Sequence, residues 1–175
     1  VDYLGGEFNS EFRRRLVIGW NSPVNWHQKD LNKTILAIRP AGFVREWDGY
    51  YDFTLSYSEL CDLVDNEEGN PDWKGYLSHA AGVYVILDNL TGKQYVGSAY
   101  GASGIWGRWV GYRKTGHNSN DELVKLFAND PDYARNFQFS ILKIMDHSSK
   151  KDAVIREESL IKEKLGSRRF GYNAN

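Results

Sequence analysis

Three tyrosines and one arginine in the middle of this sequence have the chemistry to bind a phosphate group. Tyr84 and Tyr95 each sit in a triplet with valine and glycine, and Arg108 is followed four residues later by Tyr112. Phenol hydroxyls donate hydrogen bonds to phosphate oxygens, and a guanidinium can donate two parallel ones. The residue types therefore predict a phosphate-binding site, provided that the intervening chain brings them together.

The local charge around these side chains favours an anionic ligand. The net charge is −1 over 175 residues, yet residues 93–117 contain four Lys or Arg side chains and no carboxylate. A nearly neutral protein can still bind nucleic acid, because binding depends on where the charge lies.

Two strands and a helix must position the four side chains. Residues 81–88 alternate in the manner of a strand, with Tyr84 and Val85 on opposite faces. Residues 94–97 follow a turn and predict the paired strand, and residues 105–113 predict a helix. The arginine and the last tyrosine, four positions apart, share one face of that helix.

The rest of the C-terminal half adds two helices and one strand. Ser119 and Glu122 form a candidate capping box for a helix that ends before Pro131. Residues 137–142 predict a third strand, and residues 149–165 predict a long final helix. The order β-β-α-α-β-α predicts an α+β fold with a small, mainly antiparallel three-stranded sheet flanked by helices.

Residues 1–79 are predicted to form a β-rich N-terminal region that precedes a domain of residues 80–175. Ser58 is the expected N-cap of the one clear helix in this region, and residues 66–72 are expected to form a loop. The predicted strands cover residues 15–20, 34–39 and 51–55.

Aromatic and basic residues are mixed in this N-terminal region. They could stack bases and bind phosphates, or the rings could fill the core of a small β-layer, and the second interpretation is favoured. The residues concerned are Trp20, Trp26, Trp47, Tyr50 and Tyr51, with Arg13, Arg14, Arg15 and Lys29 nearby.

Over residues 80–175 the sequence resembles the GIY-YIG nuclease family. Gly82-Val83-Tyr84 and Tyr95-Val96-Gly97 are separated by ten residues, with valine in place of isoleucine in both triplets. Arg108 and Tyr112 then occur at family-like spacing. The resemblance continues through Gly116-His117-Asn118, a Phe-x-Phe-Ser-Ile-Leu strand, Glu157 ahead of Leu160-Ile161, and a terminal Gly171-Tyr172-Asn173.

The resemblance implies an endonuclease that hydrolyses phosphodiester bonds in double-stranded DNA with Mg²⁺ or Mn²⁺ as cofactor. Mg²⁺ is commonly bound by one or two carboxylates together with retained waters. The Glu-x-x-Leu-Ile spacing favours Glu157 as the metal ligand. Glu158 is the alternative, because both glutamates border the apolar stripe of Val154 and Ile161.

The resemblance also implies roles for the side chains around the metal. Arg108 would stabilise charge that develops on the phosphate. Tyr84 would position the attacking water, or deprotonate it if a nearby cation lowers the pKa of the phenol. The other implied site residues, which would hold water or phosphate oxygens or support the site, are Tyr95, Tyr112, His117 and Asn173.

One departure bears on the branch of the family. Ser98 follows the second triplet where the repair branch often has lysine, and with His117 this favours the homing and restriction branches. Cutting both strands with one site per chain calls for a dimer or two nicks, so self-association as a homodimer is expected. The alternatives are a non-catalytic DNA-binding module on a nuclease fold and an RNA- or protein-binding domain.

The composition indicates a folded protein that is not inserted in a membrane. Apolar residues make up 41% and aromatic residues 14% of the chain, enough for a substantial core. No apolar run approaches the about 20 residues that span a bilayer, and the start has no signal-peptide pattern. A single cysteine, Cys61, excludes an internal disulfide and favours a reducing compartment such as the cytoplasm. The sequence begins with Val1 rather than Met, as expected if it is a piece of a longer protein.

Overall fold

The computed structural model describes residue 12, residues 15–20 and residues 32–174. The strands are β1 (Leu16–Ile18), β2 (Ile35–Ile38), β3 (Leu55–Ser56), β4 (Ala81–Asp88), β5 (Gln94–Ala99) and β6 (Phe137–Met145). The helices are α1 (Tyr57–Asp65), α2 (Pro71–Ser78), α3 (Gly104–Thr115), α4 (Asp121–Asn129), α5 (Lys151–Leu165) and α6 (Ser167–Phe170). Short 3₁₀ turns cover Glu67–Gly69 and Tyr133–Asn136.

The main sheet is antiparallel, and its strands lie in the order β3-β6-β4-β5. The α+β class and the antiparallel pairing were predicted, but the predicted three-stranded sheet lacked one strand. Leu55 and Ser56 pair with Phe139 and Gln138 and add a fourth strand at the edge. The strand predicted over residues 51–55 is reduced to this two-residue pairing.

The central strand β4 is buried on both faces, as its alternation predicts. Tyr84 and Ile86 point into a large core beneath α1, α2 and α3. Val83 and Val85 point to the opposite face, where they form a smaller cluster against Ile161 of α5. Helices therefore cover both faces of the sheet, and α5 lies on the side away from the tyrosine cluster.

The two helices that precede β4 belong to the large core. Leu60 of α1 and Trp73 of α2 are buried in the same cluster as Trp109 and Phe139. Trp47 packs edge-on against Trp73, which agrees with a packing role for this tryptophan. The division of the chain at residue 79 stays a prediction, but residues on both sides of it share one hydrophobic core.

Two details of this region differ from the prediction. Ser56, rather than Ser58, caps α1: its hydroxyl accepts from the Glu59 backbone N–H, and the Glu59 carboxylate accepts from the Ser56 backbone N–H. The predicted loop over residues 66–72 contains a 3₁₀ turn and the start of α2. Pro71 occupies the first turn of that helix, where its missing N–H costs no hydrogen bond.

Strands β1 and β2 form a separate two-stranded antiparallel ribbon. Both strands were predicted, although each is shorter than expected, and their aromatic neighbour Trp20 is exposed. The interpretations of Arg13, Arg14, Trp26 and Lys29 as base-stacking, phosphate-binding or core residues stay predictions, because these four lie outside the described residues. Within the described residues, no helix has the length and apolar character to span a membrane.

Candidate active site

Gly97 of the second triplet leaves space for the side chain of Tyr84 of the first. Tyr84 of β4 is paired with Gly97 of β5, and a Cβ atom at Gly97 would lie 2.5 Å from the Tyr84 hydroxyl. The phenol of Tyr84 therefore crosses over β5 and extends toward the edge of the sheet. Tyr84 is 1% exposed, so packing fixes its orientation.

Helix α3 carries Arg108 and Tyr112, and it places both near the tyrosines of β4 and β5. Ile105 and Trp109 are fully buried and anchor the helix against the sheet. Arg108 projects from the exposed side of the helix, whereas Tyr112 is buried. The hydroxyls of Tyr84 and Tyr112 lie 3.2 Å apart, and the ring of Tyr95 meets that of Tyr112 edge-on.

Of the two candidate glutamates, Glu158 lies beside these groups and lines the adjacent cleft, whereas the favoured Glu157 does not. Ser98 donates a hydrogen bond to one carboxylate oxygen of Glu158, and Lys162 lies 2.7 Å from the other. The carboxylate of Glu157 instead pairs with Lys143 of β6 at 2.9 Å. Both glutamates border the stripe that α5 buries, so helical spacing could not separate them. The rotation of α5 on the sheet, set by Val154 and Ile161, places Glu158 beside Ser98.

These groups surround a cleft of about 500 Å³ at the β5 edge of the sheet. Tyr84, Tyr95 and Arg108 reach it from one face, and Ser98 and Glu158 reach it from the other. The remaining lining residues are Tyr100, Asn118, Ser119, Asn120, Ile155, Ser159, Lys162 and Arg168. Because β5 is an edge strand, side chains from both faces of the sheet can meet there.

The predicted His117 does not line the cleft. Its Nδ1 accepts a hydrogen bond from the Ser119 backbone N–H, and its ring packs against Phe127. Asn118 and Ser119, which follow it, have positive φ angles of 43° and 59°, and both line the cleft. His117 therefore supports a strained loop, and its neighbours Asn118 and Ser119, which were not predicted to be site residues, are the ones that reach the cleft.

The cap of α4 differs from the prediction. The side chain of Asn120 accepts from the Leu123 backbone N–H, so Asn120 is the N-cap and the predicted Ser119–Glu122 capping box does not form. Ser119 is left in the cleft wall. Asparagine is a favoured N-cap residue, so Asn120 could have been predicted as the cap from its type alone. The capping-box spacing of Ser119 and Glu122 favoured the serine instead.

Asn173 acts on the site through the backbone of β5. Its side-chain oxygen accepts from the Val96 N–H at 2.9 Å, and its side-chain nitrogen donates to the Val96 carbonyl at 2.8 Å. The amide thus occupies the outer edge of β5 between Tyr95 and Gly97. Asn173 does not line the cleft, and its two hydrogen bonds are made to the strand that carries Tyr95.

The clustered phenols stay protonated at neutral pH. Burial raises the pKa of Tyr84 well above its ordinary value, and the proximity of Tyr95 adds to this effect. The hydrogen bond with Tyr112 and the charge of Arg108 act in the opposite direction but are weaker. Burial likewise raises the pKa of Tyr95 and of Tyr112. The chain itself therefore makes Tyr84 a neutral hydrogen-bonding group.

The cleft has a positive balance of charge. Arg108, Lys162 and Arg168 line it, and Glu158 is the one carboxylate among its lining residues. The ring of Tyr100 lies between two cations, with Arg108 at 5.8 Å and Lys151 at 5.6 Å from its centroid. This arrangement suits a ligand that carries several negative charges.

The donor set fits a weakly coordinated hard cation. In the described part of the chain, no group of three or more His, Cys, Asp or Glu side chains is arranged to hold a metal ion. Mg²⁺ does not require such a group, since it can bind through one carboxylate while waters and substrate oxygens supply the other ligands. Glu158 meets that requirement, and a closed zinc-type site is not formed by these residues.

Known structures of endonuclease catalytic domains resemble this chain. The catalytic domain of the homing endonuclease I-TevI is 30% identical in sequence, and the match covers 54% of this chain and 98% of that domain, at a TM-score of 0.42. A mutant of the catalytic domain of the intron endonuclease I-TevI is 29% identical over 55% of this chain and 94% of that domain, at a TM-score of 0.43. No protein-family model and no curated protein matches the chain.

Proposed function

We propose that this chain is a Mg²⁺- or Mn²⁺-dependent endonuclease of the GIY-YIG type that hydrolyses phosphodiester bonds in double-stranded DNA. The observation that supports this most strongly is the shared cleft of Tyr84, Tyr95, Arg108 and Glu158. The residues come from β4, β5, α3 and α5, and they meet at one edge of the sheet. A packing requirement alone does not explain an arginine, a glutamate and a lysine around the same polar cleft.

Arg108 binds the scissile phosphate in this proposal. Its guanidinium is exposed at the cleft, next to Tyr100, and can donate two hydrogen bonds to non-bridging oxygens. These bonds strengthen as negative charge builds on the phosphate during attack by water. Arg108 thereby stabilises the transition state more than the ground state.

Glu158 is the proposed metal ligand, in place of Glu157. A divalent ion bound there would polarise the phosphate and stabilise the departing oxygen. Ser98 and Lys162 fix the orientation of the carboxylate. Glu158 therefore requires little rearrangement to present an oxygen to the cleft.

The tyrosines orient the attacking water. Tyr84 and Tyr95 line the cleft as neutral phenols, so each can donate one hydrogen bond and accept another. Water that they hold beside the phosphate forms the new P–O bond as it loses a proton to solvent. The bond to the leaving oxygen breaks as that oxygen takes up a proton from solvent, which gives a phosphate monoester and a hydroxyl end. Because burial raises the pKa of Tyr84, its proposed role is to position the water.

Ser98 supports placing the chain with the homing or restriction branch. The serine is the hydrogen-bond donor to Glu158, so this departure from lysine is part of the site. Cleavage of both strands then calls for a homodimer or for two successive nicks. Light scattering of the purified chain, alone and with DNA duplex, distinguishes these routes.

The test is cleavage of supercoiled plasmid DNA with Mg²⁺, with Mg²⁺ plus EDTA, and with Mn²⁺. Conversion to nicked or linear plasmid that EDTA abolishes is the expected result, and sequencing of the ends shows whether the sites are discrete. Tight DNA binding with no cleavage under any of these conditions would identify a non-catalytic DNA-binding module. Preferential binding of single-stranded RNA at matched salt would support an RNA-binding domain.

A further inference from the structure

A lysine is buried next to the carboxylate of the cleft. The side chain of Lys162 is 8% exposed, and its ammonium lies 2.7 Å from Oε1 of Glu158, one helical turn earlier. The hydroxyl of Ser98 donates to Oε2 of the same carboxylate. Each oxygen of Glu158 therefore has a hydrogen-bond donor before any metal arrives.

A second lysine–glutamate pair, which joins α5 to β6, provides a direct comparison. Glu157 and Lys143 lie 2.9 Å apart, but the side chain of Lys143 is 46% exposed and the pair does not line the cleft. Such an exposed pair contributes little to stability. A buried pair is also weak evidence of stabilisation, because desolvation offsets the attraction between the charges. Stability therefore does not explain why a lysine lies in the cleft.

We propose that Lys162 is a positioning residue that limits the affinity of Glu158 for a divalent ion until a phosphodiester occupies the cleft. This inference rests on the proposed function. An ammonium and a divalent cation must share one carboxylate, and their like charges repel at short range. The free protein then binds the ion weakly, although the carboxylate is already oriented.

A bound phosphodiester changes the balance of charge in the cleft. Its negative oxygens offset the ammonium and the divalent cation together, so the repulsion costs less when DNA is present. By linkage, DNA raises the affinity for the ion by the same factor as the ion raises the affinity for DNA. Lys162 thus makes metal binding depend on substrate.

The direct test is a titration of the free protein with Mn²⁺. The electron paramagnetic resonance signal of unbound Mn²⁺ measures how much of the ion is bound. Lys162→Met removes the charge and keeps the chain length, and we expect it to bind Mn²⁺ at least about tenfold more tightly than the unaltered protein. Lys162→Arg keeps a cation and should bind Mn²⁺ with unchanged affinity. Lys143→Met, which removes the equivalent charge outside the cleft, should also leave the affinity unchanged.

Lys162→Gln is a second neutral variant that retains a hydrogen-bond donor, and circular dichroism confirms which variants are folded. Equal or weaker Mn²⁺ binding by the folded neutral variants overturns the inference.

The Mn²⁺ concentration for half-maximal plasmid cleavage should shift less than the binding constant, because DNA already offsets the charge. If the unaltered protein cleaves DNA but the neutral variants bind Mn²⁺ with unchanged affinity, the role of Lys162 is refuted and the proposed function is not. Absence of both cleavage and Mn²⁺ binding in every protein refutes the proposed function as well.

Discussion

Ser98 of β5 donates a hydrogen bond to Glu158 of α5, sixty residues later in the chain. Ser98 is the cross-strand partner of Val83, so it lies on the sheet face that packs against α5, opposite Tyr84. This bond holds the Glu158 carboxylate against β5 on that face of the sheet. Glu158 lines the cleft, whereas Glu157 does not.

The bond from Ser98 is expected to affect metal use more than folding. Ser98→Ala leaves one oxygen of Glu158 without its donor, and a typical hydrogen bond contributes only about 1 kcal/mol to stability. We therefore expect a higher Mg²⁺ concentration for half-maximal plasmid cleavage and a nearly unchanged urea midpoint. Ser148→Ala, at an exposed loop, is the control and should alter neither quantity. An unchanged Mg²⁺ requirement in Ser98→Ala would show that the bond does not orient a metal ligand.

Arg108 is expected to be required for cleavage and dispensable for folding. Because its side chain is exposed, its removal should have little effect on folding. Removal of a group that stabilises transition-state charge commonly lowers the rate by about 10²–10³. Single-turnover cleavage by Arg108→Ala should fall by at least that order, and Arg108→Lys should recover only part of it. Arg113→Ala is the matched control, since Arg113 lies on the same helix but pairs with Asp65. Equal loss in both variants would point to a general effect of positive charge.

Gly97 is expected to be intolerant of a side chain. A methyl group there would meet the Tyr84 hydroxyl at 2.5 Å, and such overpacking typically destabilises by about 1–3 kcal/mol. Gly97→Ala should lower the urea midpoint and reduce cleavage, because Tyr84 has to move. Gly75→Ala is the same change in α2, with no atom within 4 Å of the new methyl, and it should be neutral or stabilising. Similar midpoints for the two variants would contradict the described packing of Tyr84.

The buried carboxylate of Asp88 predicts a specific acid sensitivity. Burial alone would raise the pKa of Asp88, but hydrogen bonds from Thr91, Tyr172 and Tyr133 lower it below the usual range. A depressed folded-state pKa contributes stability above the unfolded value of about 4, and this contribution is lost as the pH falls through the folded value. The free energy of unfolding should therefore decline below about pH 4 in the unaltered protein.

Asp88→Asn should remove this part of the pH dependence. It should also destabilise the protein at neutral pH by about 1–3 kcal/mol, because buried hydroxyls lose their acceptor. Urea unfolding from acid to neutral pH measures both effects. Asp48→Asn is the control, since that carboxylate is exposed and lies outside the Asp88 cluster. A decline of equal steepness in the Asp88→Asn protein would show that other groups cause the acid sensitivity.

Local sequence patterns predicted much of the fold over residues 80–175. The alternation around Tyr84 correctly placed it opposite Val85, and β4 has the predicted bounds. The helix predicted over residues 105–113 was also correct, and α3 extends slightly further, from Gly104 to Thr115. These features depend on residues close together in the chain, where period and turn chemistry are sufficient.

Features that depend on distant contacts were not predictable in this way. The choice between Glu157 and Glu158 required the rotation of α5 on the sheet, since both positions border its buried stripe. The fourth strand required the pairing of Leu55 with Phe139, which are far apart in sequence. The position of His117 depended on Phe127 and on a loop with positive φ angles, which a histidine motif alone does not indicate.

The most direct test of the account compares Glu158→Gln with Glu157→Gln in Mg²⁺-dependent cleavage of plasmid DNA. The two variants remove one charge from adjacent positions on the same helix and leave nearly the same volume. Since only Glu158 lines the cleft, we predict that Glu158→Gln loses Mg²⁺-dependent cleavage while Glu157→Gln retains it. Full cleavage by Glu158→Gln, or loss of cleavage in Glu157→Gln with Glu158 intact and the protein folded, would contradict the account.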